Sequence, residues 1–360
     1  MKKSLIALAI VAISGAASAQ VTITGNYTFG YKASTQAPNQ GSAALQGVQT
    51  VTQSLAGGNA GNPNGEASGF GIDTSLVTFS AKEDLGGGMS IAAEMNIDGL
   101  NRAGVSGGDS SLKLTTSVGR LTLQTYKPVD YLSGGISGVG GVGMDNKVFP
   151  ARGLKDSVGF DTKLGPVFVG LAHGEQASTS GGSTSGVGMG LGAGGAGAAS
   201  TTGQRYNSLS ATYLGGALVA NVNYLVYDGR TDNVNTSYKD VIRTAASYDF
   251  GVAKVGGGIS VLTVTGGATL TDSLIAVSVP VTPALTLGAN FANETLSGSI
   301  AQTGVSSSAG ALDQTRNGYG LSASYALSKR TSVIASYANW LSAVGKDRSS
   351  ETNLLLSHSF

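Results

Sequence analysis

The stretch Val21-Thr-Ile-Thr-Gly-Asn-Tyr-Thr-Phe-Gly-Tyr31 decides the fold class. Its odd positions carry Val21, Ile23, Tyr27, Phe29 and Tyr31, and its even positions carry Thr22, Thr24, Asn26 and Thr28. Successive side chains of a strand point to opposite faces, so this split marks a strand with one apolar and one polar side. The split recurs at 284–291, where Leu285, Leu287, Ala289 and Phe291 oppose Thr286, Gly288 and Asn290. It recurs at 318–327, where Tyr319, Leu321, Ala323, Tyr325 and Leu327 oppose Gly320, Ser322 and Ser324. The polar face is small and mostly uncharged, as expected where it meets water. The other face is apolar with aromatics near its ends, as a lipid-facing wall requires.

Counting such segments predicts about sixteen strands. In the first half they are 21–31, 70–84, 89–97, 110–118, 120–127, 156–164, 166–175 and 206–214. In the second half they are 217–228, 239–249, 252–263, 270–279, 284–296, 318–327, 331–342 and 351–360. Most are near the ~9–11 residues that cross a bilayer as a tilted strand, and an even number lets an antiparallel barrel close. Connections alternate in length. Short ones fall at 85–88, 119, 164–166, 214–216, 250–251, 280–283 and 328–330. Long ones fall at 32–69, 98–109, 128–155, 176–205, 229–238, 264–269, 297–317 and 343–350. Short periplasmic turns opposite long external loops are the pattern of an outer-membrane barrel. The expected fold is therefore an all-β, transmembrane, antiparallel barrel.

Composition narrows the function. The 360 residues include 56 Gly, and charged residues are 12%, about half the ~25% of an ordinary soluble domain. With 22 basic and 21 acidic side chains the net charge is +1, so the basic excess that displaces counterions from nucleic acid is absent. There is no Cys, hence no disulfide, thiolate site or Cys nucleophile. Two His, at 173 and 358, leave almost no material for a metal cluster or triad; both read as strand residues without ligands. No metal, cofactor or enzymatic activity is expected.

Met1-Lys2-Lys3, the apolar run 5–13 and Ala17-Ser18-Ala19 have the layout of a cleaved signal peptide, residues 1–19, followed by one domain over 20–360. Without Lys2 and Lys3 the balance is 20 basic to 21 acidic, a net charge of −1. No later run reaches ~18 apolar residues, yet mean hydropathy is +0.11, which again suits a barrel. The Gly-rich segment 181–200 reads as part of a flexible external loop. Gly138-Val-Gly-Gly-Val-Gly143 matches G-x-G-x-x-G by chance, because no helix or acidic residue follows as a dinucleotide site needs.

Several strings carry a family resemblance. They are Val21-Thr-Ile-Thr-Gly25, Glu83-Asp84-Leu85-Gly86-Gly87-Gly88, Val118-Gly119-Arg120, Asp156-Ser157-Val158, Tyr325-Ala-Leu-Ser-Lys-Arg-Thr331 and the terminal Phe360. Over essentially the whole mature chain, the sequence resembles the general porins of the Gram-negative outer membrane, of the betaproteobacterial and neisserial type. The resemblance implies a sixteen-stranded barrel, usually a homotrimer, set among outer-membrane lipid and lipopolysaccharide and passing small hydrophilic solutes. It also implies that Phe360 serves as an assembly signal for the barrel-assembly machinery, and that the third external loop folds into the lumen. That loop is 128–155, with Asp130, Asp145, Lys147, Arg152 and Lys155. Two positions depart from the family: Leu76 stands where an Arg is common in the second strand, and Ser359 where the penultimate residue is often Arg.

Strand parity turns Lys82, Glu94, Lys113, Arg120, Asp161, Lys163 and Arg243 inward. Facing lipid would cost about 2–4 kcal/mol for each Lys or Arg at the midplane. Together with the loop charges they form the candidate pore lining, Arg120 and Arg152 foremost because both sit in family-like motifs. Trp340 and the Tyr residues near strand ends read as interfacial girdle anchors. Lys329 and Arg330 belong to a periplasmic turn. A substrate-selective channel for anions, carboxylates or oligosaccharides is the alternative within transport. An exported adhesin or surface protein is the alternative outside it.

Overall fold

The structure is a computed structural model. It describes residues 20–35, 66–101, 104–128, 132–145, 147–149, 155–176, 205–228, 238–264, 267–298, 314–341 and 348–360. Sixteen strands follow one another without a helix among the described residues. The first eight are β1 (Gln20–Thr35), β2 (Glu66–Gly86), β3 (Met89–Asn101), β4 (Gly104–Thr115), β5 (Arg120–Tyr126), β6 (Lys155–Leu164), β7 (Val167–Gln176) and β8 (Arg205–Gly215). The rest are β9 (Leu218–Tyr227), β10 (Tyr238–Asp249), β11 (Lys254–Val264), β12 (Thr269–Pro280), β13 (Leu285–Ser297), β14 (Gln314–Ala326), β15 (Thr331–Trp340) and β16 (Ser349–Ser359).

Each strand pairs antiparallel with its neighbours in sequence, and β1 also pairs with β16, closing the barrel. Gly25 and Phe360 exchange two backbone hydrogen bonds of 3.1 Å at this seam. Closure leaves no unpaired strand edge, which a sheet inside hydrocarbon cannot tolerate.

Parity is obeyed at the level of single residues. On β12, Ile275 is 60% exposed on the outside, whereas Leu274 beside it is 4% exposed inside. Phe291 on β13 is 48% exposed, and its neighbour Ala292 is fully buried. No described part of the chain covers Ile275 or Phe291, whereas Leu274 and Ala292 are covered by other protein.

The tight turns occupy one end of the barrel. In the β2–β3 turn, Gly86, Gly87 and Gly88 all have positive φ, a conformation other residues adopt at a cost. Asp84 accepts the Gly86 N–H at 2.8 Å and fixes that turn.

One expected long loop is absent. Residues 98–109 are mostly strand: β3 reaches Asn101 and β4 begins at Gly104, with Asp98 opposite Ser106 and Ile97 opposite Gly107. The ladder shifts register twice here, and glycine accommodates such bulges easily. The apolar alternation fades before the pairing ends, because pairing continues beyond the lipid where an apolar face is no longer needed. The signal segment 1–19 and the Gly-rich 181–200 lie outside the described residues.

Candidate functional site

The connection between β5 and β6 shapes the lumen. It leaves the wall at Lys127, whose N–H donates to the Asp109 carboxylate at 2.7 Å. It then reaches strands lying about eight places away around the ring, the opposite wall of the barrel. There Leu132, Met144, Val148 and Phe149, each at most 2% exposed, pack against Leu274, Ala276, Ala292, Ala338 and Trp340 of β12, β13 and β15. The larger of two buried apolar clusters among the described residues thus lies between a loop and the inner wall; the other, Tyr206, Leu225, Tyr227 and Val241, lies on β8–β10. Trp340 belongs to the larger cluster at 5% exposure, so it is no girdle anchor as the sequence suggested. Its even position puts it on the lumen side, opposite Gly318 and Ser349.

The loop is held by shape as well as burial. The Met144 carbonyl accepts N–H groups from Lys147, Val148 and Phe149, a tight local turn. Ser137 donates to the Leu132 carbonyl at 2.8 Å, and Ser133 accepts the Met144 N–H at 3.0 Å. Asn290, inward on β13, clamps the loop by donating to the Val142 carbonyl at 2.7 Å and accepting the Val142 N–H at 3.3 Å.

Glycines on both sides allow this approach. A Cβ at Gly140 would fall 2.2 Å from the Val277 carbonyl oxygen, and one at Gly288 would fall 2.6 Å from the Gly141 nitrogen. Gly138-Val-Gly-Gly-Val-Gly143 therefore has a structural purpose: its missing side chains let backbone lie on backbone.

Charge completes the attachment. Lys147 Nζ lies 3.5 Å from Glu351 Oε1 and 5.6 Å from the centre of the Trp340 ring. Glu351 also pairs with Lys32 at 3.7 Å, and Lys32 with Asp73 at 3.6 Å. The β1–β2 register shifts between Thr28 and Phe29; Asp73 falls at that shift, within reach of Lys32. A second buried group lies beside the loop, on β12–β14. Arg316 pairs with Glu294, which is 1% exposed, and Asp272 stands opposite Glu294 in register at 2% exposure.

The wall from β2 to β10 carries the sequence-predicted charges. Lys113 reaches Glu94 at 3.9 Å, and Arg120 Nε donates to Asp161 Oδ1 at 2.9 Å, two residues opposite each other in register. Arg243 Nε donates to Ser260 Oγ at 3.3 Å. Lys163 lies over the Phe168 ring at 5.6 Å and Lys155 over the Tyr206 ring at 4.9 Å. Among the described residues, no carboxylate pairs with either lysine. Lys82 faces inward, exposed, near the turn end, and Leu76 also turns inward, opposite Asn26 and Asp98.

Of the loop candidates, Asp145 is buried in the loop at 8% exposure and Lys147 binds Glu351. Asp130 and Arg152 lie outside the described residues. The structure thus separates the candidates into a loop-covered wall and an open one. Lys32, Asp73, Asp272, Glu294, Arg316 and Glu351 were missed, although parity with Tyr31, Phe291 and Leu354 turns Lys32, Glu294 and Glu351 inward. Tyr126, Tyr206, Tyr227 and Tyr238 also sit at strand ends but on the inner face, which corrects their reading as girdle anchors.

A closed barrel with an internal loop is a channel architecture, and the family model for Gram-negative porins matches residues 5–340. The chain belongs to the Gram-negative porin family. Among solved structures it is similar to the anion-selective porin from Comamonas acidovorans, with a TM-score of 0.62 and 16% identity, over 95% of this chain and 100% of that one. It is also similar to a loop L8 deletion mutant of OmpT, an outer membrane protein of Vibrio cholerae. That match has a TM-score of 0.60 and 11% identity, over 95% of this chain and 99% of the other. A triple mutant of the Rhodopseudomonas blastica porin matches with a TM-score of 0.55 and 11% identity, over 95% of this chain and 100% of that one. No curated protein sequence matches the chain. This porin is an outer-membrane diffusion channel, and porins are known as channels rather than enzymes.

Proposed function

We propose that this porin is a passive, general pathway for small hydrophilic solutes, with a preference for anions set on the wall that its third loop leaves uncovered. The observation carrying this reading is the unequal pairing of lumen charges. Glu94 and Asp161 are matched by Lys113 and Arg120, and against a further inward carboxylate of this wall, Asp98, stand Lys82, Lys155 and Lys163, none with a carboxylate partner among the described residues. Charge fixed beside a narrow aqueous path raises the local concentration of the opposite ion. The Comamonas acidovorans relative, named as anion-selective, is compatible with the same preference here.

The pore-lining set is Lys82, Glu94, Lys113, Arg120, Asp161, Lys163 and Arg243 on the wall, with Lys155 at the end of the loop, whereas the buried Asp145 and the Glu351-bound Lys147 serve to hold the loop. Asp130 and Arg152 complete the proposed set from sequence alone. The working form is a homotrimer in outer-membrane lipid and lipopolysaccharide, delivered by a signal peptide, residues 1–19, that is then removed. Phe360, at the barrel seam, is its signal to the barrel-assembly machinery.

Reversal potential in a planar bilayer under a KCl gradient tests the preference. The wild-type channel should reverse toward the chloride potential, and Lys155→Met with Lys163→Met should move that value toward zero. A wild-type reversal on the potassium side would contradict the reading.

A further inference from the structure

Five strand ends converge at the loop end of the open wall. Tyr126 closes β5, Lys155 opens β6, Tyr206 is second on β8, Tyr227 closes β9 and Tyr238 opens β10. Register puts them on the lumen face: Tyr126 is opposite Lys155, and Tyr206 is opposite both Gly174 and Tyr227. The rings form one patch. Tyr206 and Tyr227 lie 5.8 Å apart between centres, and Tyr227 meets Tyr238 edge-on at 5.4 Å. Gly174 lets the first ring lie along the wall, because a Cβ there would fall 2.5 Å from the Tyr206 hydroxyl.

The patch has a floor and an open side. Tyr206 and Tyr227 are buried at 3% and 9% exposure, while Tyr126, Tyr238 and Lys155 keep part of their surface open. Lys155 Nζ stands 4.9 Å from the Tyr206 ring centre. The patch therefore offers ring surface beside a cation.

From this geometry we infer that the patch is a capture site for small aromatic carboxylates at the outer mouth of the pore. A carboxylate would meet the Lys155 ammonium in a charge-assisted hydrogen bond, while the solute ring packs against Tyr126 and Tyr238. An oligosaccharide fits less well, since it needs several polar partners around its rim and the patch presents ring faces beside a single ammonium. The inference rests on the anion preference proposed above and adds a solute class to it.

Sodium benzoate and sodium acetate are the probes, each titrated against chloride current through single channels. Benzoate should reduce the current at about one tenth of the acetate concentration. Lys155→Met should abolish that difference, Lys155→Arg should retain it, and Tyr238→Leu should weaken it several-fold. Equal action of the two carboxylates on the wild type would overturn the site, as would a benzoate effect surviving in Lys155→Met. Equal block by a neutral maltose-series oligosaccharide would overturn the assigned solute class. Reversal potential in KCl alone separates the two readings: chloride preference with equal benzoate and acetate action defeats only the capture site. Benzoate block without chloride preference defeats the anion reading on which it was built.

Discussion

Replacing Gly320 by leucine should lower single-channel conductance by about half or more while the barrel still forms. A Cβ at this position would lie 2.7 Å from the Val142 Cβ, 2.8 Å from the Val142 nitrogen and 2.6 Å from Asn290 Oδ1. Two of those contacts are to the loop and one is to the side chain that clamps it. The wall strand cannot retreat, because β14 is hydrogen-bonded to β13 and β15 along its length. The loop must therefore move toward the barrel axis, and the aqueous gap closes from that side. Overpacking of this kind costs about 1–3 kcal/mol, which a sixteen-strand ladder can absorb. Conductance in symmetric KCl, with heat-modifiable gel migration as the folding check, measures the effect. An unchanged conductance would mean that the loop does not lie on this wall.

Removing the Arg316 guanidinium should have the largest effect on stability. Its partner Glu294 is 1% exposed and the facing Asp272 is 2% exposed, so Arg316→Met would leave two acidic groups together with the closest cation gone. Breaking a buried pair by deleting one member costs about 3–5 kcal/mol, whereas replacing both members by uncharged groups costs far less. The temperature at which the folded band is lost in detergent should drop clearly for Arg316→Met. It should recover in part for Glu294→Gln with Arg316→Met. Equal transition temperatures for wild type and single variant would contradict a structural pair.

Much of this architecture is legible in the sequence because a membrane barrel has a simple rule: apolar on one side, small and polar on the other. Val21, Ile23, Phe291 and Leu321 announce the outer face, and the same parity turns Lys113, Arg120, Asp161 and Lys163 inward, where Lys113 and Arg120 find acidic partners. The rule weakens where the inner face is not wet. Leu274, Ala292 and Trp340 are apolar on the lumen side because a loop covers them, and period-two alternation carries no signal of a loop arriving from β5. Trp340 and the lumen tyrosines are misread for that reason. An aromatic near a strand end can face the bilayer interface or a covered inner wall, and local pattern alone does not separate the two. The Gly-rich run 138–143 is similar. Its glycines match a nucleotide-binding motif only by chance, but the side chains they lack are what let the run lie against Val277, Gly288 and Asn290. Glu351 and Lys147 are far apart in sequence, and their pairing follows only once the barrel has closed and the loop has crossed it.

The absence of native cysteine makes a direct test of the pore simple, since one engineered thiol reports alone. Lys163→Cys places it on the open lumen wall, and Ile275→Cys places it on the outer face, where Ile275 is 60% exposed. Single channels of each variant are recorded before and after a charged methanethiosulfonate reagent is added. The predicted result is open-channel steps in both, with stepwise loss of current on modification at 163 and none at 275. Steps absent from a correctly folded barrel, or block at 275 rather than 163, would contradict a water-filled channel lined by this wall.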